Sequence, residues 1–225
     1  MPLELIQVDH DFHLARDNRG FRLVVKCAEH LAAYNNAPLV NWRKFFSHQV
    51  LFPTGDAALY VRFANAAALH PLEDAIKFLE SSYKLHGYLT RCHIPARLIR
   101  HLPAIREVNE AQPIGPGTIG MATDAFAHWS EMLHIPSTAE VSASKLLHFI
   151  NPNVFWIIDS RVKIILDVWG YEPSFSGFGK LLTELMQHND FGPLQDFLTA
   201  QNGGVCPFLK LLDKVLLLPP TPRAG

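Results

Sequence analysis

The sequence predicts a mainly α fold, and three observations carry that reading. Apolar residues recur at the three- and four-residue spacing of a helix face along most of the chain. Few runs alternate apolar and polar residues in the period-two pattern of a half-buried strand. Proline and glycine fall between the apolar stretches and punctuate them. The chain has 225 residues, 48% of them hydrophobic and 18% charged, which is ample for a packed core in one globular unit. No internal repeat is visible.

The elements follow in order. FRLVVKCAEHLAAYN, residues 21–35, has apolar positions near helical spacing and stops at Asn35-Asn36-Ala37-Pro38. NWRKFFSHQVLF, residues 41–52, reads as a helix capped by Asn41, and Pro53-Thr54-Gly55-Asp56 as a turn. AALYVRFANAAAL is helical or strand-like. Pro71 then restarts the chain as a helix in which Leu72, Ala75, Ile76 and Leu79 share a face and Glu73 and Lys77 stand at i,i+4, with Gly87 near its end. Residues 107–120, EVNEAQPIGPGTIG, form a Gly/Pro-rich loop. Beyond it, MATDAFAHWSEML, SASKLLHFI, DSRVKIILDVW, FGKLLTELMQ, PLQDFLTAQ and PFLKLLDKVLLL all have helical spacing. The expected organisation is an N-terminal helical part over 1–106, the loop over 107–120, a C-terminal helical part over 121–218 and a flexible tail over 219–225.

Net charge is −1 with histidine neutral, so no global basic field announces a nucleic-acid binder, although a local basic face is allowed. Cys27, Cys92 and Cys206 are odd in number and form no CxxC pair, which argues against a disulfide framework or a zinc knuckle and fits a reducing cytoplasm. The N-terminal MPLELIQVDHDFH lacks the apolar run of a signal peptide. Charges interrupt both of the most apolar windows before the roughly 18 to 20 residues of a membrane span, so no membrane partner is expected.

Several chemical signals have bland readings. Gly115-Pro116-Gly117-Thr118-Ile119-Gly120 satisfies G-x-G-x-x-G, but VNEAQP before it is no strand and Pro116 removes a donor. A glycine-rich loop is the plainer reading. Asp9-His10-Asp11-Phe12-His13 is the densest histidine cluster, yet a near-terminal run supplies neither a rigid frame nor the hydrogen bonds that orient ligands, so no metal and no cofactor are expected. From Ser81 to Arg106 the chain carries Lys84, Arg91, Arg97, Arg100 and Arg106 with three histidines, two tyrosines and no acid. Clustered cations with aromatics suit a phosphate-rich partner, because each paired phosphate releases counterions. Exposed helix faces balanced by acids elsewhere would give the same composition.

The stretch SASKLLHFINPNVFWIIDSRVKIILDVWG, Ser142 to Gly170, sets a lysine, a histidine, an aspartate and an arginine among apolar residues. Lys145 to Ile150 makes a helix ended by Asn151-Pro152, since Pro152 has no N–H and disfavours the α region at Asn151. Asp159 is placed as the N-cap of the next helix. Leu146, Phe149, Val162 and Ile165 are candidates for the contact between the two, and Lys163 stands at i+4 from Asp159, the spacing of an ordinary helix ion pair.

Lys145, His148-Phe149 and Asp159-Ser160-Arg161-Val162 resemble the helix-hairpin-helix DNA glycosylase superfamily, especially the short bacterial and archaeal 8-oxoguanine glycosylases. In these a K-x-x-x-H-F-like helix leads through a loop and an apolar run to an Asp-Arg-His-Ile-like helix start. The sequence departs from that pattern at three places, one of them an interval from Lys145 to Asp159 that is shorter than the pattern's. IPSTAEVSAS stands where the family carries a glycine turn. The spacing from Lys145 to His148 is three rather than four, so that fixing His148-Phe149 puts Ser144 in the lysine's place. The resemblance implies a compact multi-helix domain of that fold that excises an oxidised purine from DNA after flipping it out of the duplex. Lys145 would attack C1′ and form a Schiff base, with Asp159 activating or positioning it. His148 and Arg161 would support the site or face phosphate, and the basic residues of 81–106 would face DNA. A lysine nucleophile must be neutral to attack, which burial or neighbouring cations favour. Two other readings stand beside it: a non-catalytic helical protein that binds nucleic acid or protein, with Asp159 only a cap, and a small-molecule enzyme with a pocket under the glycine-rich loop.

Overall fold

The computed structural model describes residues 5–8, 11–17, 20–22, 54–108, 114–168, 170–187 and 207–210, with side chains from residue 56 onward except those of 161, 165 and 168. The described part is mainly helical. Three short strands precede the helices: β1 (Leu5–Val8), β2 (Asp11–Asp17) and β3 (Gly20–Arg22). They form an antiparallel sheet in the order β1-β2-β3, with Ile6 opposite His13 and Ala15 opposite Arg22. This corrects the helical reading at its first residues, because Phe21 and Arg22 are extended. Only Phe12 and Leu14 give β2 an apolar alternation, too short a run to outweigh its charges. The helices expected at 23–35, 41–52 and 193–201 lie outside the described residues.

The helices are α1 (Thr54–Asn65), α2 (Leu69–Ser82), α3 (Tyr88–Arg91), α4 (Ile94–Glu107), α5 (Ile119–Met132), α6 (Glu140–Ile150), α7 (Ser160–Val168) and α8 (Phe175–Met186). A 3₁₀ turn, Ser137–Ala139, leads into α6. Of the turn expected at residues 53–56, residue 53 lies outside the described residues and 54–56 are instead the first turn of α1, where Asp56 complements the helix dipole. Helix α2 begins two residues before Pro71, since a first helical turn has no use for the missing N–H.

Helix α6 is the centre of the body, packed against α1, α4 and α5; α1 and α4 also flank α2, and α5 packs on α8. The expected face of α2 is confirmed, with Leu72, Ala75, Ile76 and Leu79 all inaccessible to solvent. Eight consecutive residues of α6, Ala143 to Ile150, are buried. A helix hydrophobic on one side only would not need that; this one is covered all round. The chain leaves α6 at Asn151 as expected, in an extended conformation with φ −140° and ψ 83°. The Asn151 amide donates to the carbonyls of Ile105, Arg106 and Val108 at 3.0–3.1 Å, which ties the end of α6 to the end of α4.

No helix among the described residues is long and apolar enough to cross a membrane. Among the same residues, no group of three histidine, cysteine, aspartate or glutamate side chains could hold a metal ion.

Candidate functional site

The segment after α6 folds back along it. His148 Nδ1 lies 2.6 Å from the Phe155 carbonyl. Ser144 Oγ accepts from the Ile158 N–H at 3.1 Å and also reaches the Ile158 carbonyl. Lys163 meets Glu140 at 2.6 Å. Residues 148, 144 and 140 thus face 155, 158 and 163, so the two stretches run antiparallel. Ser144 pins the apolar run from within the helix, and Val154 to Ile158 are all buried. Trp156 donates to the Phe175 carbonyl at 3.0 Å and stacks on the Phe175 ring at 4.1 Å, which anchors the same run to α8.

Asp159 closes the run. Its carboxylate accepts from the Val162 N–H at 2.8 Å and its carbonyl from Lys163 N at 2.9 Å, so it is the N-cap the sequence predicts. Lys163 does not follow its local expectation, since its ammonium goes to Glu140 in α6. Glu140 also accepts from the Phe175 N–H at 2.7 Å and so joins α6, α7 and α8. Arg161 is the second residue of α7, and its side chain is outside the described residues.

Lys145 and His148 belong to a different cluster. The Lys145 side chain is 8% exposed, and its ammonium stands 4.9 Å from the centre of the Tyr83 ring. Lys210, 1% exposed, stands 5.3 Å from the same ring and donates to the Tyr83 hydroxyl at 3.1 Å. Tyr83 in turn donates to Asp56 Oδ1 at 2.8 Å. Asp56 Oδ2 is buried with no hydrogen-bond partner among the described residues. Burial pushes the Tyr83 hydroxyl well above the ordinary tyrosine range, although Lys210 opposes that, so Tyr83 is a neutral donor. Phe149 packs on Tyr60 and Tyr83, at 4.8 and 5.5 Å between ring centres.

His148 is fully buried. The Phe155 carbonyl can only accept, so Nδ1 carries the proton and Nε2 accepts from Tyr60 Oη at 2.5 Å. Burial first, and then the charge of Lys210, lower its pKa to about 3. The ring is therefore a neutral strut between α1 and the run after α6.

The site residues expected from sequence thus fall into two groups. Lys145 and His148 face Tyr83 and Tyr60, while Asp159 caps α7 beside the residue that Ser144 holds. Asp56, Tyr60, Tyr83 and Lys210 complete the Lys145 cluster and carry no local motif. Lys210 lies 127 residues from Tyr83, and no spacing rule reaches that far.

The basic stretch divides as well. Arg106 donates to the carbonyls of Phe63, Ala64 and Ala66, where α1 ends, and Arg97 to the carbonyl of Leu133 at 3.1 Å, where α5 ends. Each supplies a cation and donors to a helix C-terminus. Arg91 donates to the His86 carbonyl and is exposed, as are Lys84 and Arg100. In the glycine-rich loop the N–H groups of Thr118 and Ile119 both go to the Gly115 carbonyl, and the Gly115 N–H goes to Thr118 Oγ1 at 2.7 Å. Those donors are used within the turn, unlike a loop that offers them to a pyrophosphate.

No family model matches this chain, and neither a curated protein nor a solved structure does.

Proposed function

We propose that the protein is a base-excision glycosylase/lyase, or a degenerate relative of one, acting on DNA that carries an oxidised purine through the amine of Lys145. The observation that carries the reading is the enclosure of Lys145. Lysine is rarely buried, and here it lies in the most enclosed helix of the body, over a tyrosine ring that it shares with a second lysine. Enclosure of an amine near another cation is how proteins prepare lysines for imine chemistry.

In this reading a nitrogen–C1′ bond forms as the C1′–base bond breaks. The base leaves with the bonding electrons and takes up the amine's proton. The deoxyribose ring then opens, its oxygen takes a proton from water, and a protonated imine to Lys145 remains. Asp159 lies one residue beyond Ile158, which Ser144 holds, so the capping aspartate is tethered to the residue before the lysine. That tether supports a positioning role for Asp159. His148, fixed as the neutral tautomer, braces α1 against the run after α6 and transfers no proton.

The test is borohydride trapping on duplexes carrying 8-oxoguanine or an abasic site. The native chain is expected to form a covalent adduct and Lys145→Gln to form none. Trapping that persists in Lys145→Gln removes Lys145 from the role.

A second reading is a non-catalytic helical protein that binds nucleic acid. It is favoured by the capping bond of Asp159 and by the use of Arg97 and Arg106 at helix ends, which account for three expected site residues without chemistry. Salt-dependent affinity for DNA with no adduct on either substrate selects it.

A further inference from the structure

We propose that the connection between α2 and α4 is a contact surface for the phosphate backbone of duplex DNA. It shares with the preceding reading only the partner and does not depend on Lys145.

Lys84, His86, Arg91 and His93 are all exposed on this connection. None of them forms an ion pair among the described residues, and residues 81–106 contain no acid. A chain of net charge −1 thus concentrates unpaired basic side chains on one short piece of backbone. Its nearest carboxylate in sequence, Glu80, is buried. It is engaged by the Thr90 N–H at 2.9 Å and the Thr90 hydroxyl at 2.6 Å.

That pair of bonds also fixes the connection to α2. Lys84, His86 and His93 have φ of 54°, 53° and 54°, a conformation that residues with a Cβ seldom adopt. Glycine adopts it freely, and Gly87 does so in the same stretch with φ 69°. Folding alone would be served better by glycine at the other three positions. Basic side chains stand there instead, held on a strained and anchored backbone, and such strain collects where side chains are presented for use. Arg91 adds its guanidinium and steadies the turn through the His86 carbonyl.

A regular row of phosphates is the partner that suits two exposed cations, Lys84 and Arg91, flanked by the hydrogen-bonding rings of His86 and His93, because each cation–phosphate contact releases counterions. By contrast, Arg97 and Arg106 are committed to helix ends and contribute little to such a surface.

The experiment is affinity for an undamaged duplex as a function of salt, measured on the full chain without trapping, so that failure of lysine chemistry leaves it intact. Lys84→Gln is expected to reduce the slope of log affinity against log salt by about one, and Lys84→Gln/Arg91→Gln by about two with about tenfold weaker binding at low salt. Lys180→Gln, at an exposed position on α8, is expected to leave the slope unchanged. Arg91 also supports the turn, so Lys84→Gln alone decides if the double variant does not fold. An unchanged slope in Lys84→Gln, an equal effect of Lys180→Gln, or no duplex binding by the native chain overturns the proposal. Equal affinity for poly-L-glutamate also overturns it, by showing a surface that attracts any polyanion.

Discussion

At the scale of single residues, His148 converts burial into pH dependence. In the unfolded chain its imidazole takes a proton near its ordinary pKa of 6.5, whereas in the folded chain it stays neutral down to about pH 3. Between those values the unfolded state binds more protons, so stability rises with pH. The contribution is complete above pH 6.5 and is lost progressively as pH falls towards 3. His148→Gln removes it, so the stability difference between the native chain and this variant is expected to shrink as pH is lowered from 7 to about 4 in urea titrations. A difference that stays constant would show that the ring is not held neutral. Gly177 is constrained by space rather than by charge. A Cβ there would lie 1.8 Å from the Glu172 carbonyl oxygen, in the first turn of α8, where the Gly177 N–H is capped by Ser174. Gly177→Ala is expected to lower stability by about 1–3 kcal/mol, read as a reduced urea midpoint with an unchanged slope. The role of Asp159 was legible at this scale because a cap acts within three residues. The partner of Lys163 was not, because an i+4 rule ranks only local acids and Glu140 stands across a helix junction.

At the scale of elements, periodicity located most of the helices, and the errors lie where one residue type has two uses. Pro53-Thr54-Gly55-Asp56 reads as a turn from its composition, yet threonine, glycine and aspartate also begin helices, and Asp56 is held by Tyr83 at the end of α2. The strands were missed because runs of three to seven residues rich in charge carry little alternation. Asn151 shows what joins the elements. Its position before Pro152 predicted the end of α6, but nothing local predicted that its amide would satisfy the last carbonyls of α4. Asn151→Ala leaves buried acceptors without their donor and is expected to cost about 1–3 kcal/mol. Hydrogen exchange gives the specific check: the loss should appear at the C-terminal turn of α4 as well as around residue 151. Faster exchange near residue 151 alone would mean that the bridge is not what holds α4.

At the scale of the whole molecule, the Lys145 cluster assembles from α1, the end of α2, α6 and the turn at residues 207–210. Periodicity announced a mainly helical body but not this convergence, since each contributing segment looks like ordinary amphipathic sequence. Asp56, Tyr83 and Lys210 form a chain of hydrogen bonds that carries a buried lysine from near the end of the sequence to the first helix of the body. If that chain docks the C-terminal turn, residues 56 and 210 must be coupled although Tyr83 stands between them. Removing either end leaves the other with a buried charge and a weakened partner, whereas removing both takes away the opposed pair together and leaves Lys145 over the Tyr83 ring. Asp56→Asn and Lys210→Met are therefore each expected to destabilise the chain, and the double variant to be more stable than the sum of the two losses implies, by about 1 kcal/mol or more. Strict additivity in urea unfolding would mean that the turn at 207–210 lies against the body without being held by this chain. Coupling would make the enclosure of Lys145 a property that the last described segment imposes on the first helices.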